Sequence, residues 1–308
     1  MIWLLLAVQV GSCESVQEHL SAGRSVEAQA VVCTRPLSIV DDVDTTAQVL
    51  SGDLTYTGDG SFIRVSGVHR FSIADASLRR TTPGAMVEVR GARWDAAFIT
   101  IERTSVVGGG IFLERALNTA IRDTTVSEAP YGVAAGLWTN GLTIDNLSFW
   151  GLTGPAILSL SSSQRWTVQD CIFENSTGGQ ASGFEQIGDG YVMGFNWLRN
   201  WHGDVTVGGQ PWIKNLRSGG YQIAGNYFGT PGRAPSGLWP GTPIISITSS
   251  QGGVIQANRL EGESAAVEFG PGYSWGATFS GNDVMSPQGV VGYVVGFRAL
   301  GNNNFTDR

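Results

Sequence analysis

Apolar and polar positions along this chain recur in a compact unit: an apolar residue, two further residues, a small or amide residue, one more, and a second apolar residue. In the first half the unit reads Ile73-Ala76-Leu78, Ile101-Thr104-Val106, Ile121-Thr124-Val126, Ile144-Leu147-Phe149 and Val168-Cys171-Phe173, with Leu147 the bulky exception at its middle place. In the second half an asparagine holds that place, in Met193-Asn196-Leu198, Ile223-Asn226-Phe228, Ile255-Asn258-Leu260, Phe279-Asn282-Val284 and Leu300-Asn303-Phe305. Successive units lie about 20 to 32 residues apart, the length of one solenoid repeat. Short strands precede many of them, as in Val87-Glu88-Val89, Ile111-Phe112-Leu113, Val205-Thr206-Val207, Ile245-Ser246-Ile247 and Val267-Glu268-Phe269. Their period of two, polar residues outward, is that of a half-exposed strand. The pattern predicts an all-β stack of about ten coils.

The unit has a physical reason. Its first apolar side chain ends one strand facing inward and its last opens the next. The bend between them calls for a left-handed residue, a conformation asparagine tolerates. Stacked coil on coil, Asn196, Asn226, Asn258, Asn282 and Asn303 are expected to hydrogen-bond side chain to side chain as a structural ladder.

Ahead of the repeats the chain opens on an apolar run, too short for a bilayer span of about 20 residues. Residues 1–12 read as an export signal, with Val10 and Ser12 suiting a cut before Cys13. Val10-Gly11-Ser12-Cys13 also resembles a lipoprotein box, which would make Cys13 a lipid anchor, and a third reading keeps the segment as an end strand. Glu14 to Ala22 fit a short amphipathic helix, with Val16 and Leu20 on one side and Gly23 as its stop. Val26, Ala28, Ala30 and Val32 then alternate as a strand does. The expected organisation is therefore a signal segment 1–12, an N-terminal cap and first coil 13–60, and the coil stack 61–308. In an exported chain Cys13 and Cys33 are candidates for a disulfide, which lipidation of Cys13 would forbid. Cys171, between apolar residues, reads as a small buried hydrophobe. The last unit ends at Phe305, and a bare final coil exposes strand edges, so a folded-over loop, a partner subunit or a further segment is expected to cover it.

Composition narrows the function classes. Glycine supplies 43 of 308 residues and charged residues only 15%, a balance that suits many tight turns between short strands. The net charge of −7 argues against nucleic acid as a partner. Lys214 is the single lysine, a bias to which the sequence attaches no functional meaning.

The segments Ile223-Ala224-Gly225-Asn226-Tyr227-Phe228 and Phe279-Ser280-Gly281-Asn282-Asp283-Val284 resemble the turn between the second and third strands of the right-handed parallel β-helix proteins of the pectin-lyase-like superfamily. The resemblance runs from about Ser61 onward and implies a right-handed parallel β-helix with a short N-terminal capping helix. It also implies a ligand groove along the first strand of each coil and the loops that enter it. That places Glu88, Phe112, Ser159, Glu185, Thr206, Ser246 and Glu268 outward on one sheet, with long loops 175–183, 199–204 and 229–243 at its middle. Enzymes, phage tailspikes and adhesins share the scaffold, so it does not assign an activity.

In those middle coils Glu185, Asp189, Arg199, His202, Asp204 and Arg233 form the densest polar group, accompanied by Trp201 and Trp239. Carboxylates or a histidine move protons, arginines neutralise a uronate or a developing oxyanion, and tryptophan faces hold sugar rings. Glu185, His202, Asp204, Arg199 and Arg233 are the candidate catalytic residues, and Trp201, Trp239, Thr206 and Ser246 the candidate substrate contacts. Trp201, Trp212, Trp239 and Trp275 read equally as loop anchors packed on the coil, and Arg90 with Glu114 as a surface ion pair. No zinc-protease, phosphate-loop, nucleophile-elbow or calcium-loop motif occurs. No metal site or cofactor is identified; calcium is implied by the resemblance alone, although the calcium and arginine arrangement of pectate lyases and the paired aspartates of polygalacturonases are not recognisable. The expected partner is a polysaccharide or surface glycan, bound by a secreted or cell-surface protein that is a lyase, a hydrolase or a non-catalytic adhesin. A phage receptor-binding spike, which needs no export signal, fits the apolar start less well.

Overall fold

The computed structural model describes residues 7–40, 48–91, 96–174, 182–187, 192–198, 202–203, 211–229, 242–262 and 264–306. They wind into a right-handed parallel β-helix of about nine turns, against about ten expected from the sequence. All described strand pairings, including the isolated bridges, are parallel, so neighbours along the axis are successive turns of the same chain.

Three ladders of strands run along the axis, and each owes its register to an apolar row. On the first sheet Leu37, Ile63, Val87, Ile111, Val133, Ile157, Phe184, Ile213, Ile245, Val267 and Val290 stack in line. On the second the row is Leu50, Ile73, Ile101, Ile121, Ile144, Val168, Ile223, Ile255, Phe279 and Ala299, with the backbone of Trp197 in register between Val168 and Ile223. On the third, Leu54, Leu78, Val106, Val126, Phe149 and Phe173 continue the pattern, and Phe228, Leu260, Val284 and Phe305 resume it. A slip of one residue would turn any of these rows to solvent, which fixes the register. Most of the row is fully buried, so the core is a continuous apolar column inside the coil.

The sharp turn between the second and third sheets works differently from the expectation. The left-handed residue is the one before the asparagine or its equivalent. Asp75, Arg103, Asp123, Asn146, Asp170, Gly225, Ala257 and Gly281 have φ between 46° and 65°. At several of these turns the residue that follows donates to the carbonyl two residues back: Thr104 Oγ1 to Glu102 at 2.8 Å, Thr124 Oγ1 to Arg122 at 2.7 Å, and Asn226 Nδ2 to Ala224 at 2.9 Å. Asparagine adds a second function that threonine lacks. Asn226 Nδ2 donates to Asn258 Oδ1 at 2.9 Å, Asn258 to Asn282 at 3.0 Å, and Asn282 to Asn303 at 3.1 Å, and each oxygen also accepts the backbone N–H of the preceding rung.

Asn196 does not hold a ladder position. Its backbone pairs with Thr167 and Gln222, and the next residue, Trp197, takes the place of Ile223. The unit is therefore out of step with Met193-Asn196-Leu198. Counting three on from Trp197 gives Asn200, outside the described residues, as are the side chains of Met193, Asn196 and Leu198.

At the N-terminal end the helix Cys13–Ser21 is the one helix among the described residues. Ser12 caps it by accepting from the Ser15 N–H at 3.2 Å, and it buries Val16 and Leu20 in the core column. Cys13 is bonded to Cys33, which ties the helix to the strand Val26–Cys33. Val8–Val10 pairs in parallel with Val26–Ala28, so part of the segment that reads as an export signal supplies a strand here.

Candidate functional site

Alternation along the first sheet turns one residue per coil outward. In register these are Ser38, Arg64, Glu88, Phe112, Ala134, Leu158, Glu185 and Lys214, and further along Ser246 pairs with Glu268. Two expected members of this row are corrected. Ser159 is fully buried, in line with the inward Ala135, and Leu158 is the residue that faces out. The place expected of Thr206 is held by Lys214, because Ile213 rather than Val205 stacks on Phe184. Thr206 itself lies outside the described residues.

The face has three zones. At its N-terminal side Arg90 bridges Glu88 and Glu114, the latter at 3.2 Å, and its guanidinium lies 5.3 Å from the centre of the Phe112 ring. Burial opposes the charge on Glu88, yet hydrogen bonds from Ser61 and Arg90 and the nearby charge of Arg64 outweigh it and hold the carboxyl below its ordinary range. Burial, reinforced by Glu88, pushes the Tyr131 phenol up. The middle zone is apolar: Phe112, a covered Ala134 and Leu158 in the outward row, with the exposed Leu160 and Ile187 just beyond the strand ends. On the far side Lys214 Nζ sits 2.7 Å from Glu185 Oε1. Glu185 is only 8% exposed, so the pair is largely taken out of water and its geometry matters more than that of a surface bridge. Behind it Gln186 Oε1 accepts the Arg217 N–H at 3.0 Å, fixing the strand end that carries Glu185.

Of the residues nominated from sequence, the structure places Glu185 and Ser246 on this face. His202 falls on the third sheet, its backbone paired with Ile172, and its side chain is outside the description. Asp189, Arg199, Trp201, Asp204, Arg233 and Trp239 lie outside the described residues. Trp212 is a core anchor, 2% exposed, stacked at 5.9 Å on Phe228 and edge-on to Phe173 at 5.7 Å. Trp275 is half exposed. Sequence reasoning missed Lys214; its signal was the buried Trp212-Ile213 pair ahead of it and Leu216 after it, a pattern that competed with the cleaner alternation of Val205-Thr206-Val207.

A carboxylate in contact with an ammonium offers both a proton acceptor and a donor to a sugar hydroxyl or ring substituent. Among the described residues no three His, Cys, Asp or Glu side chains gather as a metal site.

No family model matches the chain, and no curated protein matches it. Solved structures do match. A GH87 α-1,3-glucanase catalytic domain in complex with nigerose aligns over 98% of this chain and 68% of its own, at 10% identity and a TM-score of 0.57. The A-module of a mannuronan C-5 epimerase from Azotobacter vinelandii aligns over 93% and 94%, at 11% identity and 0.50. The chain has the pectin-lyase-like fold. The Agl-KA catalytic domain aligns over all of the chain and 69% of its own, at 10% identity and 0.50. At such identities a pectin-lyase-like likeness speaks for the architecture and not for the chemistry.

Proposed function

We propose that this protein acts on or binds a polysaccharide through the outer face of its first sheet, and that Glu185 beside Lys214 is the reactive or recognising centre of that face. The observation that carries the reading is the 2.7 Å contact between the two in a largely buried setting next to an exposed apolar strip. The glucanase and the epimerase among the fold neighbours support a carbohydrate substrate, as analogy. In a catalytic version Glu185 exchanges a proton with the glycan while Lys214 neutralises the developing negative charge. The bond between Cys13 and Cys33 supports an exported protein, because disulfides persist in oxidising compartments, and it uses the sulfur that a lipid anchor would need.

A second reading, a non-catalytic glycan-binding protein at the cell surface, is favoured by the same ion pair. A carboxylate already engaged by an ammonium is a poor free base.

The test is a panel of neutral and acidic polysaccharides, with unsaturated products and new reducing ends read separately. Glu185→Gln is expected to lower any turnover by about 10²–10⁴-fold with the fold intact by circular dichroism. Unchanged turnover removes Glu185 from the chemistry. Binding without turnover in the parent selects the second reading, and a parent that neither binds nor cleaves any glycan overturns both.

A further inference from the structure

We infer that the first-sheet face takes an uncharged polysaccharide rather than a polyuronate, seated on the apolar strip between its two ionic zones. The inference rests on the carbohydrate reading and narrows it to a substrate class.

Charge is the first ground. Three described cations of this face stand against carboxylates: Arg90 against Glu88 and Glu114, Lys214 against Glu185, and Arg64 close enough to Glu88 to depress its pKa. Glu268 adds a further carboxylate in register with Ser246. A uronate chain brings one carboxylate per sugar and would meet, at the two ends of the strip, the Arg90 guanidinium and the Lys214 ammonium already paired with carboxylates. Binding it would require breaking those pairs, while the chain as a whole carries −7 and repels a polyanion. An uncharged glycan incurs neither cost, and its hydroxyls donate to Glu114 and Glu185 at the two ends of the strip.

The apolar strip is the second ground. Leu160 and Ile187 are 38% and 50% exposed and follow each other on successive coils, each just past the end of its first-sheet strand. Their backbones hang on the preceding coil, Leu160 N–H on Ala135 and Ile187 N–H on Ser159, so the two side chains keep the spacing of the strands. Trp138, 55% exposed with the Arg115 guanidinium 5.9 Å from its ring centre, stands one coil earlier. Gly136 holds the place of Leu160 in that coil, so Trp138, two residues further on, flanks the strip, while Phe112, Leu158, Leu160 and Ile187 give it apolar contacts on three of four successive coils that are about 4.8 Å apart along the axis. A chain of sugar rings laid along that axis presents its C–H faces to them, which is the contact that apolar and aromatic side chains make with carbohydrate.

The experiment uses the full chain in affinity electrophoresis against soluble α-glucans, β-glucans and mannans on one side, and polymannuronate and polygalacturonate on the other, at low and high salt. Expected are retardation by at least one neutral polysaccharide that salt leaves unchanged, none by the polyuronates, and a loss of about ten-fold in affinity in Trp138→Ala/Ile187→Ser. Both substitutions lie at exposed positions, and an unaltered melting temperature certifies the fold. Retardation by a polyuronate that fades with salt overturns the inference and leaves the carbohydrate reading standing. Neutral binding that the double variant does not weaken overturns the placement on this strip, as does self-association of the parent that the double variant abolishes. No binding to any glycan removes the underlying reading itself.

Discussion

At the residue scale, the turn between the second and third sheets separates two tasks that the sequence seemed to give to one side chain. The left-handed backbone falls on residues as different as Asp75, Arg103, Ala257 and Gly281, so it leaves only a faint trace in composition. The asparagine after it is legible because its side chain must both accept and donate along the axis. Lys214 was hard to read for the opposite reason: the apolar pattern of Trp212, Ile213 and Leu216 competes with the cleaner alternation of Val205-Thr206-Val207, and the choice is made by stacking on Phe184. Glu88 belongs to this scale as well. Its depressed carboxyl means that the unfolded chain binds the proton first, so the stability it contributes is present at neutral pH and is lost as the pH falls through its folded pKa, below the ordinary 4.5. Urea unfolding followed from neutral pH into acid should therefore fall less steeply in Glu88→Gln than in the parent; parallel curves would mean that Ser61 and Arg90 do not hold the carboxylate.

At the element scale, a coil is a unit that cannot bury its own inner wall, and each one borrows its neighbours'. That is why the repeat was readable from apolar residues alone across Ile101, Ile121, Ile144 and Val168, and why it slipped where Met193 and Trp197 are both apolar and four residues apart. A ladder rung joins three coils. Asn258 Nδ2 donates to Ile223 and Asn282, while its Oδ1 accepts twice from Asn226. Asn258→Ala removes the oxygen that accepts from both the backbone N–H and the side-chain amide of Asn226 and is expected to cost about 2–4 kcal/mol, read as a lowered unfolding midpoint at unchanged denaturant slope. Asn303→Ala, whose rung has a neighbour on one side among the described residues, should cost less; equal losses would show that the asparagines act turn by turn and not as a ladder.

At the scale of the whole molecule, the parallel winding lays one outward residue per coil into a straight row, and so converts sequence spacing of about 25 residues into a groove with a step of about 4.8 Å. The fold was legible because it needs only a periodic apolar code. The site was legible in part: Glu185 was found from its polar surroundings in sequence, but its nearest partner proved to be the next coil's Lys214, and His202 was drawn to the third sheet by its pairing with Ile172. Spatial neighbours on a solenoid come from the coil above or below, and a local cluster of polar residues is a weak guide to them.

Glycan is expected to sit on that outer face. Hydroxyl-radical footprinting of the full chain, with and without a polysaccharide it binds, reads the solvent access of individual side chains. Protection is expected at Leu158, Leu160, Ile187 and Trp138, with Trp150 and Ile172 on the third sheet labelled equally in both states. Protection of Trp150 and Ile172 instead, or unchanged labelling of the strip while the glycan is bound, would contradict it.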